Sequence, residues 1–159
     1  MATEKLKFKL ELFATFWDKA PNIEILVDNK VHFSDQITGS EDEPTVIQFE
    51  QELEPGKHDL EIKMSGKTDQ QTVVNEKGEI VKDQLLHIKN IEIDEIDIGS
   101  LVFEGVYTPE YPKLWYSQQI KAGKKPQESY KNVKIMGHNG SWKFGFESPF
   151  YMWLLENLY

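Results

Sequence analysis

From Leu86 to Ile98 the apolar residues Leu86, Ile88, Ile91, Ile93, Ile96 and Ile98 fall on alternate or near-alternate positions. The polar residues His87, Lys89, Glu92, Asp94 and Asp97 lie between them. Successive side chains of an extended backbone point to opposite faces, so the pattern predicts a strand with its isoleucine row inward and its charged row outward. A one-residue slip at Lys89–Asn90 is of the size that a β-bulge absorbs. The stretch Lys82–Gly99 is expected to be a central strand around which the other elements are arranged.

The segments before it repeat the same two-residue period. Leu6, Phe8, Leu10 and Leu12 alternate with Lys5, Lys7, Lys9 and Glu11, which predicts a first strand with one buried face. Ile23–Val27 and Lys30–Phe33 read as two strands joined by Asp28-Asn29, with Asn tolerating positive φ. Thr38–Pro44 is an acidic loop. Thr45–Phe49 is a strand, with Val46 and Phe49 as core candidates. Glu54-Pro55-Gly56 is a turn, and Leu60, Ile62 and Met64 share a face of the strand that follows. In the long polar stretch Ser65–Lys82, Val73-Val74 and Ile80-Val81 predict a short hairpin around Glu76-Lys77-Gly78.

Beyond Glu104 the composition changes. Tyr107, Tyr111, Trp115 and Tyr116 stand among Pro109, Pro112 and Lys113, which reads as an irregular aromatic segment, with a flexible loop over Gln118–Tyr130. Asn132–Met136 and Ser141–Glu147 flank Gly137-His138-Asn139-Gly140, and Asn-Gly between such runs predicts a hairpin. Trp142, Phe144 and Phe146 alternate and read as core. Ser148 as cap and Pro149 at the first position predict a helix to Tyr159. That helix is apolar on nearly every side, so it must bury itself on this domain or on a partner. The expectation is one domain over 1–159: a core at 1–104, an aromatic extension at 105–131, and a hairpin with terminal helix at 132–159.

The chemistry available narrows the function. With no cysteine, disulfides, thiolate metal sites and thiol nucleophiles are excluded. The net charge of −9 disfavours a nucleic-acid partner, since phosphate neutralisation supplies most of that affinity. All 18 basic residues are lysine, so the bidentate fork of arginine is absent. No apolar run reaches the length of a bilayer span, and MATEKLKFKLELF does not read as a signal peptide, so no membrane partner is expected. No serine sits in a G-x-S-x-G elbow, and His32, His58, His87 and His138 have no metal-ligand spacing. His32, His58 and His87 read as surface residues, and nothing marks out a catalytic carboxylate pair, so the chain reads as a non-enzyme.

Two kinds of binding residue stand out. Tyr111, Trp115 and Tyr116 could stack on the apolar faces of sugars or anchor another protein. Asp69 and Asp83, around the long loop, are candidate oxygen ligands for calcium, as are Asp35, Glu41, Asp42 and Glu43 in the acidic loop. Phe150, Trp153, Leu154 and Leu158 of the terminal helix are candidates for an interface with a second copy or another protein.

Across Asn22–Gly99 the order of elements resembles calcium-dependent xylan-binding carbohydrate-binding modules. Pro55-Gly56-Lys57-His58-Asp59-Leu60-Glu61-Ile62 is similar to the G-x-H strand of that family, and Asp83-Gln84-Leu85-Leu86-His87-Ile88 to its D-R-N-L strand. The resemblance implies an all-β, jelly-roll-like β-sandwich that binds a polysaccharide or glycan, with calcium as cofactor. Asp83 carries over as a ligand. Met64-Ser65-Gly66 stands where the family has its Asn-Asp pair, and Gln84-Leu85 where it has Arg-Asn. The end of the chain, NGSWKFGFESPFYMWLLENLY, is similar to the C-termini of small proteins of tailed marine phages. That similarity implies a phage virion as location and other virion proteins, or self-association, as partners. Two functions follow as expectations: a non-catalytic carbohydrate-binding module, or a virion structural or assembly protein that keeps the fold without binding sugar.

Overall fold

The computed structural model describes residues 2–158, the side chains of Asp69 and Leu158 excepted. In chain order the strands and helices are β1 (Glu4–Thr15), β2 (Asn22–Val27), β3 (Lys30–Gln36), β4 (Thr45–Leu53), β5 (Gly56–Ser65), β6 (Val73–Val74), β7 (Ile80–Lys82), β8 (Leu85–Ile93), β9 (Ile96–Asp97), β10 (Val106–Pro109), α1 (Lys113–Lys121), β11 (Ile135–Met136), β12 (Gly140–Ser148) and α2 (Phe150–Leu158). They form an all-β sandwich. One sheet has the order β11-β8-β1-β4 with β9 paired to β8, the other β10-β12-β5-β2-β3, and β6-β7 is a separate hairpin. The pairings are antiparallel.

The period-two pattern sets which rows face inward. Leu6, Phe8, Leu10 and Leu12 of β1 meet Leu60, Ile62 and Met64 of β5 and Trp142, Phe144 and Phe146 of β12 in one core between the sheets. The three β12 rings stack along the strand, at centroid spacings of 6.1 and 6.4 Å. Phe8 reaches Phe146 from the opposite sheet at 5.9 Å, edge to face. Each such side chain, fully buried, stabilises the fold by about 1.5–3 kcal/mol.

Lys89 is the extra residue where Glu11 pairs with Asn90 and Leu12 with Ile88, so the expected bulge is present. The Asp28-Asn29 turn is also as expected, with both residues at positive φ. Other expectations are corrected. The run Leu86–Ile98 is two strands, because Asp94 and Glu95 turn the chain back in left-handed conformation. β8 keeps its expected interior place, between β11 and β1, and β1 is likewise interior, between β8 and β4. Val46 is exposed and Ile47 faces the core, the phase of β4 being one residue off the expectation. His32, His58 and His87 are half-buried rather than surface residues. Residues 113–121, expected to be irregular, form α1. The boundary at 104 does not delimit the core, since Tyr107, Met136, Trp142, Phe144 and Phe146 belong to it.

The Asn139-Gly140 turn is not a hairpin. β11 pairs with β8 in one sheet and β12 with β5 in the other, so Gly137–Asn139 carries the chain across the sandwich. Gly140 has φ +151, and a Cβ there would lie 2.4 Å from the Thr108 carbonyl oxygen, so glycine is required where the crossover meets β10. At the other end of β12, Ser148 is the last strand residue and not the helix cap. Glu4 supplies the cap instead: its Oε2 accepts from the Phe150 amide at 2.9 Å and also from the Ser148 hydroxyl.

Candidate ligand cleft

The end of the sandwich where β5 and β10 finish and β8 and β12 begin holds a cleft of about 580 Å³. Its wall includes Lys67, Thr72, Asp83, Glu110, Trp115 and His138. Four segments meet there: the loop after β5, the foot of β8, the segment after β10 and the Gly137–Asn139 crossover.

Asp83 is the electrostatic centre. Its Oδ1 accepts hydrogen bonds from Lys67 Nζ at 2.6 Å, Thr72 Oγ1 at 2.8 Å and the Gln84 amide at 2.8 Å. Burial alone would raise its pKa. The hydrogen bonds from Lys67, Thr72 and Gln84, with the charge of Lys67, outweigh burial and hold the carboxyl below its usual value. Lys67 Nζ also donates to the Gly137 carbonyl at 2.6 Å. The Asn139 side chain clamps the Lys67 backbone, its Oδ1 accepting from Lys67 N and its Nδ2 donating to Lys67 O, both at 3.0 Å.

The crossover is held from behind by Tyr107, whose hydroxyl donates to the His138 carbonyl at 2.6 Å and accepts from the His138 amide at 2.9 Å. Burial above all pushes the Tyr107 pKa up to about 12. The His138 ring packs edge-on against Tyr111 and lies 5.9 Å from the Trp115 ring. Burial, then the nearby Lys67 charge, lowers its pKa against the pull of Asp83, so the imidazole is neutral at neutral pH and carries one donor and one acceptor.

Of the three aromatics singled out in the sequence, Trp115 lines the cleft, with 37% of its surface exposed. Tyr111 supports it. The Tyr111 ring stands 5.2 Å from Trp115, and its hydroxyl bonds to the Gln127 carbonyl at 2.6 Å and to the Tyr130 hydroxyl at 2.8 Å. Tyr116 stacks on Tyr111 at 6.2 Å and is not among the cleft residues. Asp69 opens a short 3-10 turn, Asp69–Gln71, but its side chain lies outside the described residues. Phe150 and Leu154 are buried in this chain's own core and Trp153 packs against it, so the interface expected of them is corrected to an intramolecular one. The side chain of Leu158 lies outside the described residues.

Sequence reasoning missed Lys67, Thr72, Glu110 and Asn139, and gave His138 no role. These residues are scattered between 67 and 139, and only the two-sheet topology gathers them. One signal was available: Gly137-His138-Asn139-Gly140 concentrates polar side chains at a tight crossing.

Calcium takes about six to eight oxygen ligands. Among the described residues no three His, Cys, Asp or Glu side chains gather as such a site would need. The carboxylate oxygen of Asp83 that faces the cluster already has three donors. The described donor set does not fit the ion.

No protein-family model matches the sequence, and no curated protein matches it. Solved structures do. A selenomethionine form of vCBM60, studied as a link by circular permutation between two families of calcium-dependent carbohydrate-binding modules, superposes with a TM-score of 0.56 at 8% identity, over 88% of this chain and 90% of that one. vCBM60 in complex with galactobiose superposes with a TM-score of 0.53 at 8% identity, over 87% of this chain and 97% of that one. At that identity the likeness establishes a common fold.

Proposed function

We propose that this chain is a non-catalytic carbohydrate-binding module that takes a polysaccharide or glycan in the cleft beside Trp115. The observation that carries the reading is the partly exposed Trp115 indole standing among Thr72, Glu110, His138 and Asn139. An aromatic face packs on the C–H face of a sugar ring, while hydroxyl, amide, imidazole and carboxylate groups bond its rim of hydroxyls. The carbohydrate-binding-module-like fold supports it. Affinity electrophoresis against a panel of soluble polysaccharides tests it. At least one glycan should retard the protein, Trp115→Ala should weaken that binding by at least about tenfold, and Tyr116→Ala should retain most of it. If no glycan retards the wild type, or if Trp115→Ala binds as well, the reading fails.

A second reading is a virion structural or assembly protein of a phage, with the virion as its location. The C-terminal sequence similarity suggests it. Tyr151, Met152 and Leu155 favour it, because they leave an apolar face of α2 exposed at 49–63%. A strict monomer in sedimentation velocity at high concentration would sink self-association through that face.

A further inference from the structure

We infer that the ε-ammonium of Lys67 is the resident cation of this cleft, standing on Asp83 in place of a divalent metal, so that the cleft is assembled without calcium. The residue offered as a calcium ligand by the sequence resemblance is Asp83, and its Oδ1 is taken by Lys67, Thr72 and the Gln84 amide. Lys67 and Asp83 keep only 10% and 19% of their side-chain surface exposed, so the pair is largely withdrawn from water. In that setting the attraction is weakly screened, and a second cation brought to the same oxygen would meet the repulsion of the ammonium, which offsets much of the pull of the carboxylate.

The ammonium also does the mechanical work expected of a bound ion. It ties the foot of β8, through Asp83, to the crossover, through the Gly137 carbonyl, from a stem rooted in the loop after β5. The Asn139 clamp on the Lys67 backbone fixes where that stem begins. An ammonium has three donors. Two are spent on Asp83 and Gly137, and Lys67 itself lines the cleft, so the third is available to an occupant. Unlike a metal, this cation is covalently attached, so its occupancy does not follow mass action.

The test is thermal unfolding of the whole chain in calcium chloride and in EGTA, for the wild type, Lys67→Met, Asp83→Asn and the double variant. Because the readout is unfolding, it is independent of whether the cleft binds a glycan. The wild-type Tm should be the same in both solutions. Lys67→Met should lower Tm by about 5 °C in EGTA, because it strands the Asp83 charge. The double variant should recover part of that loss, since neither charge is then left alone. The inference is overturned if calcium at a hundred times its Kd raises the wild-type Tm by roughly 5–10 °C and Asp83→Asn abolishes the rise. It is equally overturned if Lys67→Met melts with the wild type in EGTA. If Lys67→Met does not fold, the wild type and Asp83→Asn compared in calcium and in EGTA still decide the matter.

Discussion

Both ring nitrogens of His58 face acceptors: Asp28 Oδ2 stands 2.5 Å from Nδ1 and the Glu54 carbonyl 2.6 Å from Nε2. Only the imidazolium can donate twice, so the folded state holds His58 charged. Burial pulls its pKa down, but the bonds to Asp28 and Glu54 and the charges of Asp28 and Asp59 outweigh burial and raise it above 6.5. A folded-state pKa that is raised means stabilisation fully present below 6.5 and lost as pH climbs through the higher folded value. His138 has the opposite sign: its lowered pKa gives stabilisation present above 6.5 and lost as pH falls towards the folded value. Urea unfolding of His58→Gln between pH 6 and pH 8.5 should therefore lose the wild type's decline towards alkaline pH; an unchanged slope would refute the imidazolium. Gly105 illustrates a different residue-scale constraint, one of space. A Cβ there would lie 2.3–2.4 Å from three atoms of the buried Trp142 ring. Gly105→Ala should cost about 1–3 kcal/mol in urea unfolding, by overpacking. Neither feature was legible in the sequence, because residues 28 and 58, and 105 and 142, meet only through strand register.

At the scale of elements, what the sequence disclosed was alternation, and alternation identifies strands better than it identifies their partners. β1, β5 and β12 read correctly because each buries one face. The Leu86–Ile98 run contains two three-residue steps, Ile88 to Ile91 and Ile93 to Ile96. The first is the bulge at Lys89 and the second a two-residue turn, and spacing alone does not distinguish them. Dihedral preference helps: that turn holds Glu95 at φ +68, a conformation that costs a non-glycine residue about 1 kcal/mol. Glu95→Gly relieves the strain and gives up only the exposed 3.9 Å ion pair with Lys7, so chemical denaturation should show a gain of about 0.5–1 kcal/mol. The start of α2 was misread for a related reason. Ser148-Pro149 has the composition of a cap, yet the acceptor comes from Glu4, at the far end of the sequence. Glu4→Ala should lower stability by about 1–2 kcal/mol, with loss of near-ultraviolet signal from Trp153 as α2 loosens.

Across the whole molecule, the sandwich separates its two special regions. The cleft lies at the Gly140 end of β12 and α2 at the Ser148 end, roughly 27 Å apart along nine extended residues. Effects at such separation add within about 0.5 kcal/mol, so Lys67→Met and Glu4→Ala combined should destabilise by the sum of their separate losses. A clear departure would mean that the ends communicate through the core. The sandwich architecture was legible because strands with buried faces and turn signals leave few alternatives. The cleft was not, because its residues come from the loop after β5, the foot of β8, the segment after β10 and a crossover mistaken for a hairpin. The pairing of Glu4 with Ser148 and Phe150 has a consequence for the order in which the molecule can come together. During synthesis Glu4 emerges before both of these partners, and Phe150 is made 146 residues after it. β12, which stands between β10 and β5, is made after both of them, so until it emerges β5 offers an open edge. Completion of the sandwich therefore waits for β12 and is governed by distant pairings, which makes it slow for a sandwich of this size, and the nascent chain depends on that edge staying unpaired until β12 arrives.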